Sequence, residues 1–426
     1  MSYPEVPIGM AFDVRNGATP SSGDEQYWDG DIPWVTPADL GALQSRWITR
    51  GARSITPKGY AACGTQMVPE GSLILSTRAP IGHLAIAKRS MCFNQGCRGL
   101  IPRSGINGEF AYWALCARKP QLEAAGQGST FIELSRDGLR AERIPVPDIA
   151  LQHAIADFLD RETAKIDALI AAQERLIALL DEKRQATITH AVTKGLDPNA
   201  PMKESGVPLV GLIPQSWQVV RLRHLANVQN GIALGRKTES ITSEVPYLRV
   251  ANVQDGYLDL SEVKTIPVTH EEMRRHVLKA GDVLMNEGGD KDKLGRGAIW
   301  RGEVSPCIHQ NHVFAVRPHG VEPEWLTTIT GSNYAKCFFD SRGKQTTNLA
   351  SISSSNLQEL PVIMPPFQER RFILQYLGQR LGSVDALHAK VGTSITRMRE
   401  RRTALITAAV TGHIDVSHPG IPEAAE

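Results

Sequence analysis

Several stretches of this 426-residue chain carry residue types that could do chemistry. Met364-Pro365-Pro366-Phe367 has the outline of the polar-Pro-Pro-aromatic motif with which an amino-methyltransferase holds a flipped base. That chemistry needs a side-chain oxygen to accept from the exocyclic amine while the aromatic ring stacks, and Met364 has none. The GIALGRKT stretch from Gly231 spaces its glycines too closely and puts Arg236 ahead of Lys237, and GGDKDKLGRG from Gly288 lacks the Gly-Lys-Ser/Thr ending, so neither matches a phosphate loop. Asp181-Glu182-Lys183 lies on a predicted helix, where the reading is a solvated face. Cys92 and Cys97 are a close pair, but no second pair or histidine at finger spacing completes a zinc site. The chain is therefore expected to carry no catalytic residues, no metal and no cofactor of its own.

Composition narrows the alternatives. With 42% hydrophobic and 22% charged residues and a net charge of +2, the chain is neither disordered nor coated with basic residues, so any nucleic-acid site must be a local patch. The length suggests two to four domains. No run reaches the ~18 apolar residues of a membrane span. Six scattered cysteines and no secretory signal point to reduced thiols and a cytoplasmic protein.

The elements that must position any site are written twice. Shifting the sequence by about 218 residues lays IADFLDRETAKIDALIAA (from Ile155) over ILQYLGQRLGSVDALHAK (from Ile373), then DEKRQATITHAVT over RERRTALITAAVT, without a gap. Upstream the match fades but persists: IPVPDIALQ (Ile144) over LPVIMPPFQ (Leu360), GQGSTFIELSRDGL (Gly126) over KQTTNLASISSSNL (Lys344), IPWVTPADL (Ile32) over VPYLRVANV (Val245), and VRNG (Val14) echoed by VQNG (Val228). Prolines precede each strongly repeated segment and Gly195 and Gly412 end them, which predicts two long helices. Ile166, Leu169, Leu176 and Leu180, with Val384, Leu387, Val391 and Met398, are spaced as coiled-coil seams. A helix of about 40 residues is roughly 60 Å long. Short apolar runs such as SLILS (Ser72) and DVLMN (Asp282), separated by Gly, Pro, Asn and Asp, predict mixed α/β domains ahead of each helix.

These features carry a family likeness. The linker KGLDPNAPMKESGVPLVGLIPQSWQVVRL from Lys194, the IPVP and LPVIMPP helix leads, the STRAPIG and NQG stretches around Arg78 and Asn94, and the duplicated plan resemble the specificity subunits of type I restriction-modification systems. Leu209-Val210 stands where that linker usually has an aromatic residue, and the N-terminus lacks the IPQSW-like lead present at Ile213. The resemblance implies an α/β (α+β) fold with two tandem target-recognition domains, separated by two long helices packed as an antiparallel coiled coil with a pseudo-two-fold. Its parts are expected as a first recognition domain over 1–147, a spacer helix over 148–195, a linker over 196–216, a second recognition domain over 217–363, a spacer helix over 364–412 and a tail over 413–426.

The resemblance further implies a non-catalytic subunit that reads a bipartite, asymmetric sequence in double-stranded DNA. It would dock two modification subunits that methylate adenine, and through them restriction subunits; S-adenosylmethionine, ATP and Mg would sit on those partners. Base edges call for Arg, Lys, Asn and Gln. The candidates are Arg78, Asn94, Gln95, Gln127 and Thr130 in the first half, and Asn286, Lys291, Arg296, Gln310, Asn311, Gln345 and Thr347 in the second. On the repeated helices, Glu182, Arg184 and Thr189 with Glu400, Arg402 and Thr407 are the candidates for partner binding. The basic run RMRERR from Arg397 reads as a solvated face or a contact for phosphate or an acidic partner. The other class of function is a coiled-coil scaffold whose globular ends bind proteins.

Overall fold

A computed structural model describes residues 3–127, 132–235, 243–289, 294–345 and 350–416. Two helices dominate, Ile149–Lys194 and Phe367–Thr411, of 46 and 45 residues. Asp148 caps the first by accepting from the Leu151 amide at 3.0 Å. Gly195 and Gly412 follow the two helices at φ +78° and +80°, the left-handed conformation that satisfies terminal carbonyls and that glycine adopts without strain. The second helix starts three residues later than the sequence suggests. Met364 closes the strand Pro361–Met364, and Pro365-Pro366 makes the turn into Phe367. The MPPF motif is thus a strand-to-helix junction.

The chain divides into two compact units, Met1–Glu174 with Thr393–Glu426, and Arg175–Gly392. In the first, a five-stranded sheet has the order Phe12–Asn16, Cys97–Pro102, Leu73–Ser76, Leu84–Ala87, Trp47–Ile48, antiparallel except for the last pair. Beside it lie a three-stranded sheet (Arg53–Ile55, Trp28–Val35, Cys92–Phe93) and a pair joining Glu5–Pro7 to Arg143–Pro145. The two-residue period of a strand sends alternate side chains to different cores: Leu73 and Leu75 pack with Phe110 and with Leu159 and Ile406 of the long helices, while Ile74 packs with Val35, Met91 and Phe93. Tyr3, Ile414 and Val416 pack against the first of these cores.

The second unit repeats the scheme. Its sheet runs Ala226–Asn230, Val313–Pro318, Val283–Asn286, Gly297–Ile299, accompanied by a three-stranded sheet (Lys264–Val268, Ser243–Leu248, Ile308–His309) and the pair Gln218–Arg221 with Pro361–Met364. Val283 and Met285 face a core that includes Ile188, Trp217 and Ile373; Leu284 faces Leu248 and Trp300. The linker forms a hairpin, Met202–Glu204 with Leu212–Pro214, tied down by the Lys194 ammonium donating to the Leu212 carbonyl at 2.5 Å.

Within each unit the long helices run antiparallel. In the first, Asp167 pairs with Arg402 and Glu174 with Arg399; in the second, Asp181 pairs with His388 and Arg184 with Asp385. The seam differs from the sequence expectation in one respect. Ile166 and Leu180, Val384, Val391 and Met398 lie on inward positions, but Leu169 and Leu387 are 55% and 43% exposed. Inward spacing is kept instead by Ile170 and His388, one residue later, which continue the alternating steps of three and four on which a heptad depends.

Candidate nucleic-acid interface

In the first unit the candidates gather where the central strands end. Beyond strand Leu73–Ser76 the Thr77 amide bonds the Gly96 carbonyl and the Leu134 amide bonds the Thr77 carbonyl, so three distant segments meet. Arg78 bridges to Glu133, and Gln127 exchanges two 3.0 Å backbone bonds with the same residue. The Asn94 carboxamide accepts from the Gly96 amide at 3.0 Å, a turn-forming role; that turn carries Gln95 outward, where its carbonyl accepts from the Thr19 hydroxyl at 2.5 Å. Thr130 lies outside the described residues.

Sequence reasoning missed the charged residues that organise this cluster. The Arg78 Nε donates to Glu133 at 3.0 Å, and an Arg98 Nη stands 3.6 Å from the other oxygen of the same carboxylate. Arg98 also donates to the carbonyls of Gln95 and Cys97; burial pulls its pKa down, with Glu133 opposing that shift and Arg78 and Arg136 adding to it. Arg136 donates to the Val14 carbonyl at 3.3 Å and Arg15 pairs with Asp13. Glu133 and Arg98 are 35 residues apart in sequence, and only the strand pairing brings them together. One signal was present: the repeated VRNG and VQNG. A Cβ on Gly17 would come 1.9 Å from the Asn94 carbonyl oxygen, and one on Gly231 would come 2.3 Å from that of Gln310. These glycines let the strand end lie against the candidate loop.

The second unit places its candidates less uniformly. Asn286 is 2% exposed and its carboxamide donates to the Val253 carbonyl at 3.0 Å, so its side chain holds the fold and is not presented to a base. Its repeat counterpart, Ser76, is equally buried. Gln310 and Asn311 are half-buried on the turn after Ile308–His309, anchored by backbone bonds to Leu248 and Ile232. Arg296 is half-buried, and its carbonyl accepts from the Asn286 amide. Lys291 and Thr347 lie outside the described residues, as does the side chain of Gln345. Across from Ser351, the counterpart of Glu133, stands exposed Lys344, with Gln345 opposite Ala350: the loop register differs by one from the sequence alignment. Beneath this turn His309 is fully buried, its Nδ1 bonded to the Val313 carbonyl at 2.7 Å, and burial lowers its pKa to about 4.

On the helices, Glu182, Glu400 and Thr407 are exposed. Arg184 and Arg402 instead pair with Asp385 and Asp167 of the opposite helix, and Arg402 also lies 5.8 Å from the Trp113 ring centroid. The Thr189 hydroxyl accepts from the Asn333 amide at 2.9 Å. In the first unit the sheet domain is fastened to its helix by Arg46, which grips Asp160 with both terminal nitrogens, and by the Trp113 indole donating to Asp160 at 2.9 Å. In the second, the Trp217 indole donates to Glu369 at 2.9 Å and Arg370 forks onto Glu322. Among the described residues no cluster of three His, Cys, Asp or Glu could hold a metal, and no helix is long and apolar enough to cross a membrane.

Comparison with known proteins adds sequence and structural relatives. Residues 4–177 match the family model of the type I restriction modification DNA specificity domain. The chain is 33% identical over 256 residues to the type I restriction enzyme MjaIX specificity subunit of Methanocaldococcus jannaschii, a match covering 57% of this chain and 56% of that relative. It is 23% identical over 423 residues to the EcoBI specificity subunit of Escherichia coli, covering 97% and 86%. A solved chain from work on complex assembly and conformational transition of the type I R-M system superposes with a TM-score of 0.66 at 18% identity, over 97% of this chain and 98% of that one. That likeness establishes a shared fold.

Proposed function

We propose that this chain, a member of the specificity-subunit family of type I restriction-modification systems, reads a bipartite, asymmetric sequence in double-stranded DNA. It directs partner subunits there and performs no bond-making step itself. The observation that carries this reading is the duplicated module: each unit builds a sheet with the same order of four strands and brings a loop cluster rich in Arg, Lys, Gln and Asn to the same strand ends. A duplex offers two half-sites at fixed spacing, and a protein that reads both must hold two readers at a set separation. Helices of 46 and 45 residues are long enough to set such a distance. Because the cluster residues differ between the units, the half-sites differ too.

The exposed Glu182, Glu400 and Thr407 belong to the surface offered to two adenine-modifying subunits, with restriction subunits joining through them. S-adenosylmethionine, ATP and Mg act on those partners, in the cytoplasm. Methylome sequencing of cells expressing the modification subunit with and without this chain tests the proposal. Adenine methylation at one split motif should appear only when the chain is present. Identical methylomes would refute it, and would favour a protein-binding scaffold.

A further inference from the structure

The two loop clusters share a backbone but not their side chains. In the first unit the Thr77 amide bonds Gly96, the Leu134 amide bonds Thr77, and Arg78 bridges to Glu133; in the second, Glu287 bonds His312, Ile352 bonds Glu287, and Gly288 bridges to Ser351. The next strand agrees, for Asn16 pairs with Arg98 where Asn230 pairs with Phe314. The Arg78, Glu133 and Arg98 of one unit are therefore Gly288, Ser351 and Phe314 in the other. A scaffold kept constant while three linked charged residues are exchanged together is the pattern expected of residues that select the ligand.

We infer that Arg78 reads a guanine in the half-site bound by the first unit, held by Glu133, which Arg98 positions. This rests on the DNA-reading function proposed above. Arg78 uses its Nε for Glu133, and among the described residues its two terminal nitrogens make no bond; its side chain is 46% exposed. Those two parallel donors match the O6 and N7 acceptors on the major-groove edge of guanine. Glu133 is held from behind by Arg98, whose side chain is only 12% exposed and whose guanidinium is fixed by two backbone carbonyls. A carboxylate fixed in this way restrains the long Arg78 side chain before DNA arrives, which lowers the ordering cost of binding. With Arg78 and Arg98 sharing one Glu133 and Arg136 acting on Arg98, the cluster keeps a positive charge suited to the phosphates flanking the base.

The test uses the full chain in complex with its modification subunit and a panel of duplexes varied one base pair at a time across both half-sites. Arg78→Ala should relax one G·C position of the half-site assigned to the first unit, lowering discrimination there by roughly five- to a hundredfold, with the other half-site unchanged. Arg78→Gln should move preference at that position toward adenine, because a carboxamide matches its N6 and N7. Glu133→Gln should relax the same position to a smaller extent. Retained specificity at the second half-site reports that each variant is folded. Uniform weakening across all sequences would make Arg78 a phosphate contact and overturn the assignment, as would unaltered specificity. A wild-type complex without any split motif would overturn the DNA-reading function itself, and this assignment with it.

Discussion

Acidification should weaken the second unit through His309. The imidazole is fully buried, donates from Nδ1 to the Val313 carbonyl, and has no partner for Nε2 among the described residues. Burial disfavours the cation and outweighs the backbone bond that favours it; of the charged and titratable groups around it, His276 and Arg317 also oppose protonation and Asp282 favours it. The folded value is about 4 against an ordinary 6.5. The unfolded chain therefore takes up the proton first as the pH falls, so this residue's penalty is absent above about 6.5, grows on acidification, and levels off below about 4. A gap of about 2.5 units at about 1.4 kcal/mol each makes the full loss about 3.5 kcal/mol. His309→Asn retains a donor for Val313 and cannot titrate. Urea unfolding followed by the fluorescence of buried Trp300 and Trp325 at pH 7 and at pH near 4.5 should show the wild type losing about 2 to 3 kcal/mol more than the variant. Equal losses in the two proteins would refute the assignment of the pH dependence to His309.

Other expectations follow from the packing. Gly17→Ala and Gly231→Ala each drive a methyl group into a backbone carbonyl, so each should cost about 1–3 kcal/mol or more in thermal unfolding; an unshifted midpoint would contradict the close approach. Arg46→Ala removes the fork on Asp160 and should cost about 1.5–3 kcal/mol, and Arg46→Lys should not restore it, because an ammonium cannot grip both oxygens in one plane; full rescue by lysine, read by urea unfolding, would sink the fork argument. Seven residues inserted in helical register near Ala171 should lengthen the gap between methylated half-sites while leaving the bases in each unchanged, and an unchanged gap in methylome sequencing would exclude a spacer role.

The long helices were legible because they are written in local signals: prolines ahead, glycines behind, and periodic apolar residues between. The seam was legible only to within one residue. Leu169 and Leu387 have the right chemistry, and leucine spacing alone does not tell an inward position from its exposed neighbour, whereas the polar His388 hides a true inward position. The interface divided along similar lines. Arg78 and Gln95 were recognisable as exposed polar residues in turn-rich sequence, and the Thr77–Gly96 backbone bond brings their segments side by side. Asn286 has the same chemistry but sits at the end of a buried strand, where a carbonyl claims it. Glu133 and Arg98 act only through a contact between segments far apart in the chain, which residue type cannot disclose. Lys344 replaces Gln345 opposite Ser351 because the two loops differ in length by one residue, a shift invisible where the repeats are weakest.

Two of the ion pairs between the helices, Arg184–Asp385 and Arg402–Asp167, also bear on how such a chain could arise. Arg184 and Arg402 occupy the same position of the repeat, and so do Asp167 and Asp385; each pair joins an arginine from one copy to the aspartate of the other. A polypeptide containing a single copy would carry both members of this contact on its own surface. Two such half-length chains are complementary to each other in the isologous sense, arginine to aspartate and aspartate to arginine. A homodimer of half-length chains is thus stereochemically sufficient to form both contacts, and joining the halves in one polypeptide lets the two loop clusters differ in sequence.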